Sequence, residues 1–386
     1  MERGSVIALY DRADVDRLSW PDTPDGDYAR RVLGPLVRDG AERFIANVHA
    51  EVRALAVDGI VLPLVLADPS RGGTDSYVVS PTNHYVDYAR REVELELGGS
   101  RVLAALLPPL IEGFRPLLRW GRIERVAYVN NWLLSTNLYP PLERAALREL
   151  RDFTAGAFPD RAVVFRSVNE RLNAALLHDL LALGFRPVFS RQVYLWDPAR
   201  TGPVPRSLRQ DAGLAGRTGY EWIEAEGIAD ADVPRLRELY AQLYLGKYSP
   251  FNPQFTEGFV RAALRERWLT VQALRRDGRI DAVLGFVERD GTMTAPLIGY
   301  DRAVPREEGL YRLISYRLVE EARRRGLLLN QSSGAAAFKR FRGGEAALEF
   351  NLVYHRHLPA RTRAPWRVLE AASRGAIVPL MQRLEL

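Results

Sequence analysis

The sequence predicts an α/β (α+β) chain built as two similar units, each a mixed central sheet flanked by helices. Three observations carry that reading. Residues 126–196 run strand, helix, strand, helix, strand. A segment rich in Pro, Gly, Arg and Ser follows at 198–219, with little periodicity, as between domains. The pattern then restarts as strand, two helices, three strands, helix, strand, helix, strand. The expected boundaries are 1–200 for the first unit, 201–218 for a linker, 219–360 for the second unit and 361–386 for a closing helix.

Taken in order, residues 27–58 read as one long helix, because Leu33, Leu36, Val37, Ala41, Phe44 and Val48 recur at helical spacing. "GIVLPLVLAD" reads as a buried strand ended by the turn cluster 69–73, and "SYVVSP" as a second strand. Residues 102–120 predict helix on both sides of Pro108 and Pro109. "RVAYVNNWLLSTNLYPP" starts as a strand, and "PLERAALRELRDFTAGAFP" is an amphipathic helix with Pro in its first turn. "AVVFRSVN" is a strand. The helix after it has Asn169 as N-cap and Gly184 as its stop, and "RPVFSRQVYLWD" closes the unit as a strand.

In the second unit "YEWIEAE" is a strand followed by two helices. Residues 269–301 give three strands joined by "RDGR" and "RDGT", since Asp-Gly between apolar alternations marks a hairpin. "GLYRLISYRLVEEARRRG" is a helix whose basic last turn suits the helix dipole. "LLLNQSSG" is a short strand entering a polar loop, "AAAFKRFRGG" a short helix closed by Gly343 and Gly344, and "ALEFNLVYHRHLP" the last strand.

Of 386 residues, 47% are hydrophobic and none is cysteine, so real cores are expected, without disulfides or thiol chemistry. No stretch approaches ~20 apolar residues, so no membrane partner is expected, and the first residues do not read as a secretory signal. A cytoplasmic protein is the expectation. The net charge of +6 is compatible with a polyanionic partner. Among 54 basic residues Lys247 and Lys339 are the only lysines. In a chain that otherwise writes Arg, a retained Lys suits a position that needs a compact ammonium.

Lys339 stands in "SSGAAAFKRFRGG", after a small-residue turn and beside Phe338. With the preceding helix and strand, this stretch resembles the GNAT acyltransferases, and in particular their Fem-like branch of two GNAT-like domains. The resemblance implies an enzyme, an acyltransferase. The chain departs from ordinary GNAT enzymes at "YDRAVPREEGLYRL", where a glycine-rich loop would cradle the CoA pyrophosphate. Here Pro305, Glu307 and Glu308 occupy that junction. Fem-like relatives without the loop use aminoacyl-tRNA, so the resemblance implies tRNA as partner, aminoacyl-tRNA as donor and no tightly bound cofactor. It further implies a small-molecule acceptor with an amine or hydroxyl. The similarity to glycyl-tRNA-dependent transferases of natural-product biosynthesis points to a glycyl group and a specialised metabolite. An acyl-CoA-dependent N-acyltransferase and a non-catalytic tandem-GNAT binding module stay open as alternatives.

On this resemblance the catalytic candidates are Lys339, as contact to the oxyanion or the tRNA 3′ phosphate, Phe338, packing on the terminal adenine, and Tyr300, as a proton carrier. The substrate-binding candidates are Asn130, Asn131, Ser135 and Asn137 in the polar strand exit, Tyr244, Lys247 and Tyr248 in the Tyr-rich loop, and Gln331, Ser332 and Ser333. The nucleic-acid candidates are Arg323, Arg324, Arg325, Arg340, Arg342 and Arg363. His355 and His357 share a face of the last strand but lack a carboxylate cluster, so no metal centre is expected.

Overall fold

The computed structural model describes residues 7–70, 73–96 and 101–384. Its strands are β1 (Ile7–Tyr10), β2 (Ala50–Val57), β3 (Ile60–Ala67), β4 (Val126–Val129), β5 (Ala162–Val168), β6 (Arg186–Trp196), β7 (Glu221–Glu224), β8 (Thr270–Arg276), β9 (Arg279–Arg289), β10 (Thr292–Tyr300), β11 (Leu328–Asn330) and β12 (Glu345–Tyr354). All join one twelve-stranded sheet in the order β1-β2-β3-β4-β5-β12-β6-β11-β10-β9-β8-β7.

The two-unit architecture is present, with a twist in its connectivity. In each half four antiparallel strands lead to a parallel pair, β4 with β5 and β10 with β11. Each parallel pair is bridged by a helix, α5 (Arg144–Ala157) in the first half and α10 (Leu310–Arg325) in the second. The sixth strands are then exchanged. β12, the last strand of the second half, lies antiparallel against β5 of the first, while β6 of the first half lies against β11 of the second. β6 and β12 also pair with each other, from Glu345–Leu195 to Val353–Arg186. The halves therefore share one sheet whose seam is the β6·β12 ladder.

That seam joins the sheets of the two units into one. The 201–218 segment also holds a helix, α7 (Arg206–Ala215), instead of a plain tether. Its Asp211 is fully buried and receives hydrogen bonds from Arg312 Nε and Arg342 Nε, both at 2.6 Å. The sequence there lacks periodicity because the helix is held by this carboxylate and by Leu208 more than by an apolar stripe.

The long helix expected over 27–58 is also corrected. α1 (Pro24–Asp39) starts on Thr23, whose side chain accepts from the Gly26 N–H, and stops at Gly40 with φ 88°. Residues 50–57 are strand instead. β2 and β3 form a hairpin closed by Asp58 and Gly59, both with positive φ. This is the Asp-Gly hairpin signal, the same one read in the second half. "SYVVSP" forms buried turns and no strand.

Four more helices complete the first half: α2 (Ala89–Glu96), α3 (Arg101–Glu112), which continues through Pro108 and Pro109, α4 (Arg115–Trp120) and α6 (Glu170–Ala182). In the second half α8 (Val233–Leu243) and α9 (Glu257–Arg265) cover one sheet face. α11 (Ala336–Arg340) precedes β12, and α12 (Ala360–Ala372) and α13 (Val378–Leu384) end the chain.

Candidate active site

The parallel strands β10 and β11 pair over only three residues, Thr292–Thr294 with Leu328–Asn330. β10 bends between Thr294 and Leu297 and runs on to Tyr300, while the chain after Asn330 turns away. Parting parallel strands open a crevice at their carboxyl ends, the usual ligand position of such sheets. A cavity of about 70 Å³ lies there. From the second half it is lined by Ile298, Tyr311, Lys339 and the loop Gln331–Gly334. From the first half it is lined by Tyr77, Tyr88, Ser135 and Arg191. Tyr244, Tyr248 and Asn252 form another wall.

The loop is a tight hook. Ser332, Gly334 and Ala335 all have φ between 55° and 78°. Such a turn points several carbonyls to one side, and Lys339 meets them. Its Nζ donates to Gln331 O at 2.7 Å, Ser332 O at 3.0 Å and Ser333 O at 2.7 Å. An ammonium has three donors, and here each has a carbonyl. The side chain is buried, only 7% exposed. This is the physical reason for a lysine at this position: a planar guanidinium cannot aim three bonds at one converging set. The hydrogen bonds make Lys339 the post around which the loop is wound.

Facing the loop across the sheet seam is Arg191 of β6, directly opposite Glu349 of β12. Both are buried, at 2% and 1% exposure. Arg191 Nε donates to Glu349 Oε1 at 2.7 Å. One terminal nitrogen reaches Tyr77 Oη at 3.3 Å and Ser332 Oγ at 3.1 Å. The other reaches Ser135 O at 2.6 Å and Thr136 Oγ1 at 2.8 Å. All five guanidinium donors are thus used, tying the first half's 130–139 loop to the second half's 331–334 loop. Burial pushes the Arg191 pKa down, but Glu349 and the neighbouring phenols more than reverse it. Glu349 Oε2 is buried without a hydrogen-bond partner among the described residues.

The phenols around the cavity are held protonated. Burial raises the Tyr77 pKa and raises that of Tyr88 well above its usual value, with a hydrogen bond to Ser333 opposing the shift at Tyr88. Burial does the same at Tyr311, and pushes Tyr244 up as well. They present O–H groups and ring faces instead of phenolates.

The sequence-derived candidates separate into distinct groups. Ser135, Tyr244, Tyr248, Gln331, Ser332, Ser333 and Lys339 meet at the cavity. Phe338 and Tyr300 stand one layer back, each packed at a tilt on Tyr311, at centroid distances of 4.7 and 5.9 Å. Phe338 also lies under the Arg342 guanidinium, 3.4 Å away. Tyr300 has its pKa raised by partial burial, opposed by Arg302 and Arg306. Desolvation, then the same two arginines, lower the Lys247 pKa, so Lys247, Arg302 and Arg306 form one basic group beside Tyr300.

Asn130, Asn131 and Asn137 are buried and turned inward. Asn130 Nδ2 donates to Leu138 O, Asn131 Nδ2 to Val78 O, and Asn137 Oδ1 accepts from Trp132 N–H. They hold the splayed loop and are absent from the cavity wall. The arginines read as a nucleic-acid patch are engaged within the chain. Arg323 pairs with Glu320, Arg324 and Arg325 with Glu321, and Arg342 with buried Asp211. Arg340 is exposed and Arg363 half-buried on α12. The cations on the cavity wall are Arg91, Arg191 and Lys339, while Lys247, Arg302 and Arg306 lie outside it. Sequence reading missed Arg191, Tyr77, Tyr88 and Tyr311. The available signal for the first was an Arg inside the apolar strand "RPVFSRQVYLW" and a Glu inside "ALEFNLVYH", opposite charges on two buried strands.

Histidines near the seam set an acid limit on the fold. Burial, helped by Arg166 and Arg191, holds His84 well below its usual range. Burial brings His355 down to about 4, and also lowers His357. The unfolded chain therefore binds more protons than the fold at acid pH. The stability is complete above about pH 6.5 and declines as pH falls towards the folded pKa. Urea midpoints should fall between pH 7 and pH 5, with His355 contributing about 2 kcal/mol at pH 5. His355→Leu should flatten this slope; an unchanged slope would show that the histidines are not responsible.

Comparison with known proteins agrees with this geometry. A family model described as the acetyltransferase (GNAT) domain matches residues 206–340, from α7 to α11, and stops before the exchanged strand β12. Among solved structures, FemX covers 93% of this chain and 97% of its own at 12% identity, with a TM-score of 0.51. A tandem GNAT protein from the clavulanic acid biosynthesis pathway aligns over 91% of this chain and 98% of its own, at 12% identity and a TM-score of 0.38. L-PGS from Bacillus licheniformis aligns over 60% of this chain and 78% of its own, at 17% identity and a TM-score of 0.42. No curated protein matches the sequence. Residues 206–340 thus match the acetyltransferase (GNAT) domain, and the chain as a whole shares its fold with FemX.

Proposed function

We propose that the chain is an aminoacyltransferase that moves an aminoacyl group from aminoacyl-tRNA to an amine or hydroxyl of a small acceptor. The observation that carries this reading is the covered amino end of α10. Open amides at a helix N-terminus would receive a pyrophosphate. Here Gly309 sits at φ 67°, and a Cβ on it would come within 2.6 Å of the Leu214 side chain of α7. Glu307 and Glu308 precede it, and Glu308 pairs with Arg276 at 2.9 Å. A helix packed over the amides and two carboxylates beside them oppose a CoA pyrophosphate. A tRNA 3′ end needs no such cradle. Its phosphates match the exposed Arg302, Arg306 and Lys247, grouped beside Tyr300.

In this reaction the acceptor nitrogen or oxygen forms a bond to the aminoacyl carbonyl carbon. The bond from that carbon to the ribose oxygen breaks, and the acceptor's proton ends on the ribose hydroxyl. The chain's part is to orient both partners at the Ser332–Gly334 hook and to supply the protonated phenols of the cavity as donors to the developing oxyanion.

The test runs two donors side by side. Binding of an aminoacyl-tRNA should weaken about 20-fold between 50 and 200 mM salt if three phosphates are contacted. Labelled aminoacyl groups should leave tRNA only when an amine acceptor is present. Acyl transfer from acetyl-CoA without tRNA would overturn the reading.

A further inference from the structure

A second, larger cavity of about 320 Å³ adjoins the cleft. Its walls come from separate parts of the chain: Leu107, Leu110 and Ile111 of α3, Val188 of β6, and Ile377 and Leu380 near the C-terminal end. Its polar wall residues are turned to each other. His84 Nε2 meets Ser190 Oγ at 3.1 Å, Gln192 donates to Tyr194 Oη at 2.8 Å, and Ser373 Oγ donates to Leu369 O at 2.7 Å. What faces the interior is hydrocarbon. Water in such a space would lack the two to four polar partners it needs, whereas an apolar molecule loses nothing by entering. The volume lies in the range of ligand pockets.

Its position gives it a direction. Glu92, Arg191, Ser333 and Gly334 line both this cavity and the transfer cleft. A molecule spanning the two would have an apolar tail in the larger cavity and its polar end at the loop that Lys339 shapes. We propose that the larger cavity holds a linear aliphatic chain carried by one of the two substrates, with its polar end at the Ser333–Gly334 turn. The occupancy rests on the cavity itself, and only its assignment to a substrate rests on the transfer reading above. On the aminoacyl-transfer reading the chain belongs to an alkyl acceptor amine; a fatty-acyl group in the cavity would mean a different donor.

Calorimetric titration with n-alkylamines and n-alkanoates of four to twelve carbons tests this without tRNA or turnover. Affinity should rise about fourfold per added methylene until the cavity is filled, then level off. Length dependence in the amines assigns the chain to the acceptor; length dependence in the carboxylates assigns it to the acyl group. Ala372→Phe fills the cavity and should weaken the best-fitting chain at least tenfold. Ala371→Phe, on the exposed side of the same helix, should leave binding unchanged. Should Ala372→Phe misfold, Leu380→Ala enlarges the cavity and should move the optimum to a longer chain. Affinity independent of chain length in both series, or equal effects of the two Phe variants, would overturn the proposal. Failure of tRNA-dependent transfer with chain-length dependence intact would sink the donor assignment and leave this site standing.

Discussion

Arg191→Leu is expected to lower stability by about 3–5 kcal/mol, because it leaves a carboxylate buried without its partner. Glu349 is 1% exposed and has no water to turn to. The same change removes donors from Ser135 O, Thr136 Oγ1 and Ser332 Oγ. Glu349→Leu alone should cost a similar amount by stranding the guanidinium. Arg191→Met with Glu349→Leu should recover much of the loss, since a hydrophobic pair avoids desolvating two charges. Stability and activity should then part company. The double variant restores the sheet seam but leaves the 130–139 and 331–334 loops untied, so transfer stays low while the urea midpoint returns. Full recovery of both would show that the pair only stabilises the sheet. No loss in the single variants would remove the pair from the account altogether.

Lys339→Met is the second large effect. Three buried carbonyls lose a charged donor, a loss of about 3 kcal/mol or more. The hook at Ser332, Gly334 and Ala335 holds strained backbone in place against these bonds, so its amides should exchange with solvent faster. Transfer should fall by about 10²-fold. Lys339→Arg should not rescue it, because five donors in a plane do not fit three carbonyls around a point. The family resemblance implies that this ammonium contacts the oxyanion or the tRNA 3′ phosphate directly. The two roles are distinguishable by experiment. A direct contact predicts a lower kcat with stability and loop exchange unchanged. A loop post predicts that all three move together, and the hydrogen bonds of Nζ favour the latter.

The same contrast explains the three asparagines. Asn130, Asn131 and Asn137 sit in a polar stretch after a buried strand, and the sequence offered two uses for them, holding the loop or contacting a ligand. Their partners are backbone groups, Trp132 and the side chains of Arg166 and Arg289, all within the protein, so they fall on the structural side. Arg323, Arg324 and Arg325 look like a phosphate patch when read in one dimension. Three glutamates brought beside them by helix spacing and sheet packing absorb the charge. Lys247 stands out in the sequence by its rarity, and the fold adds Arg302 and Arg306 to it from about 55 residues further along the chain.

What the residue order determined by itself is local and periodic. It set the strand and helix order of residues 126–196 and 269–354, the Asp-Gly turns at RDGR and RDGT, the caps at Asn169 and Gly184, and the small-residue turn before Lys339, because each depends on side chains within a few positions of one another. The tertiary structure alone decided the exchange of β6 and β12, the Arg191–Glu349 pair on that seam, and the apolar cavity between α3, β6 and the C-terminal helices. Those features join segments up to hundreds of residues apart. Strand partners of equal hydrophobicity carry no local mark saying which of them will be neighbours, and a cavity has no sequence of its own.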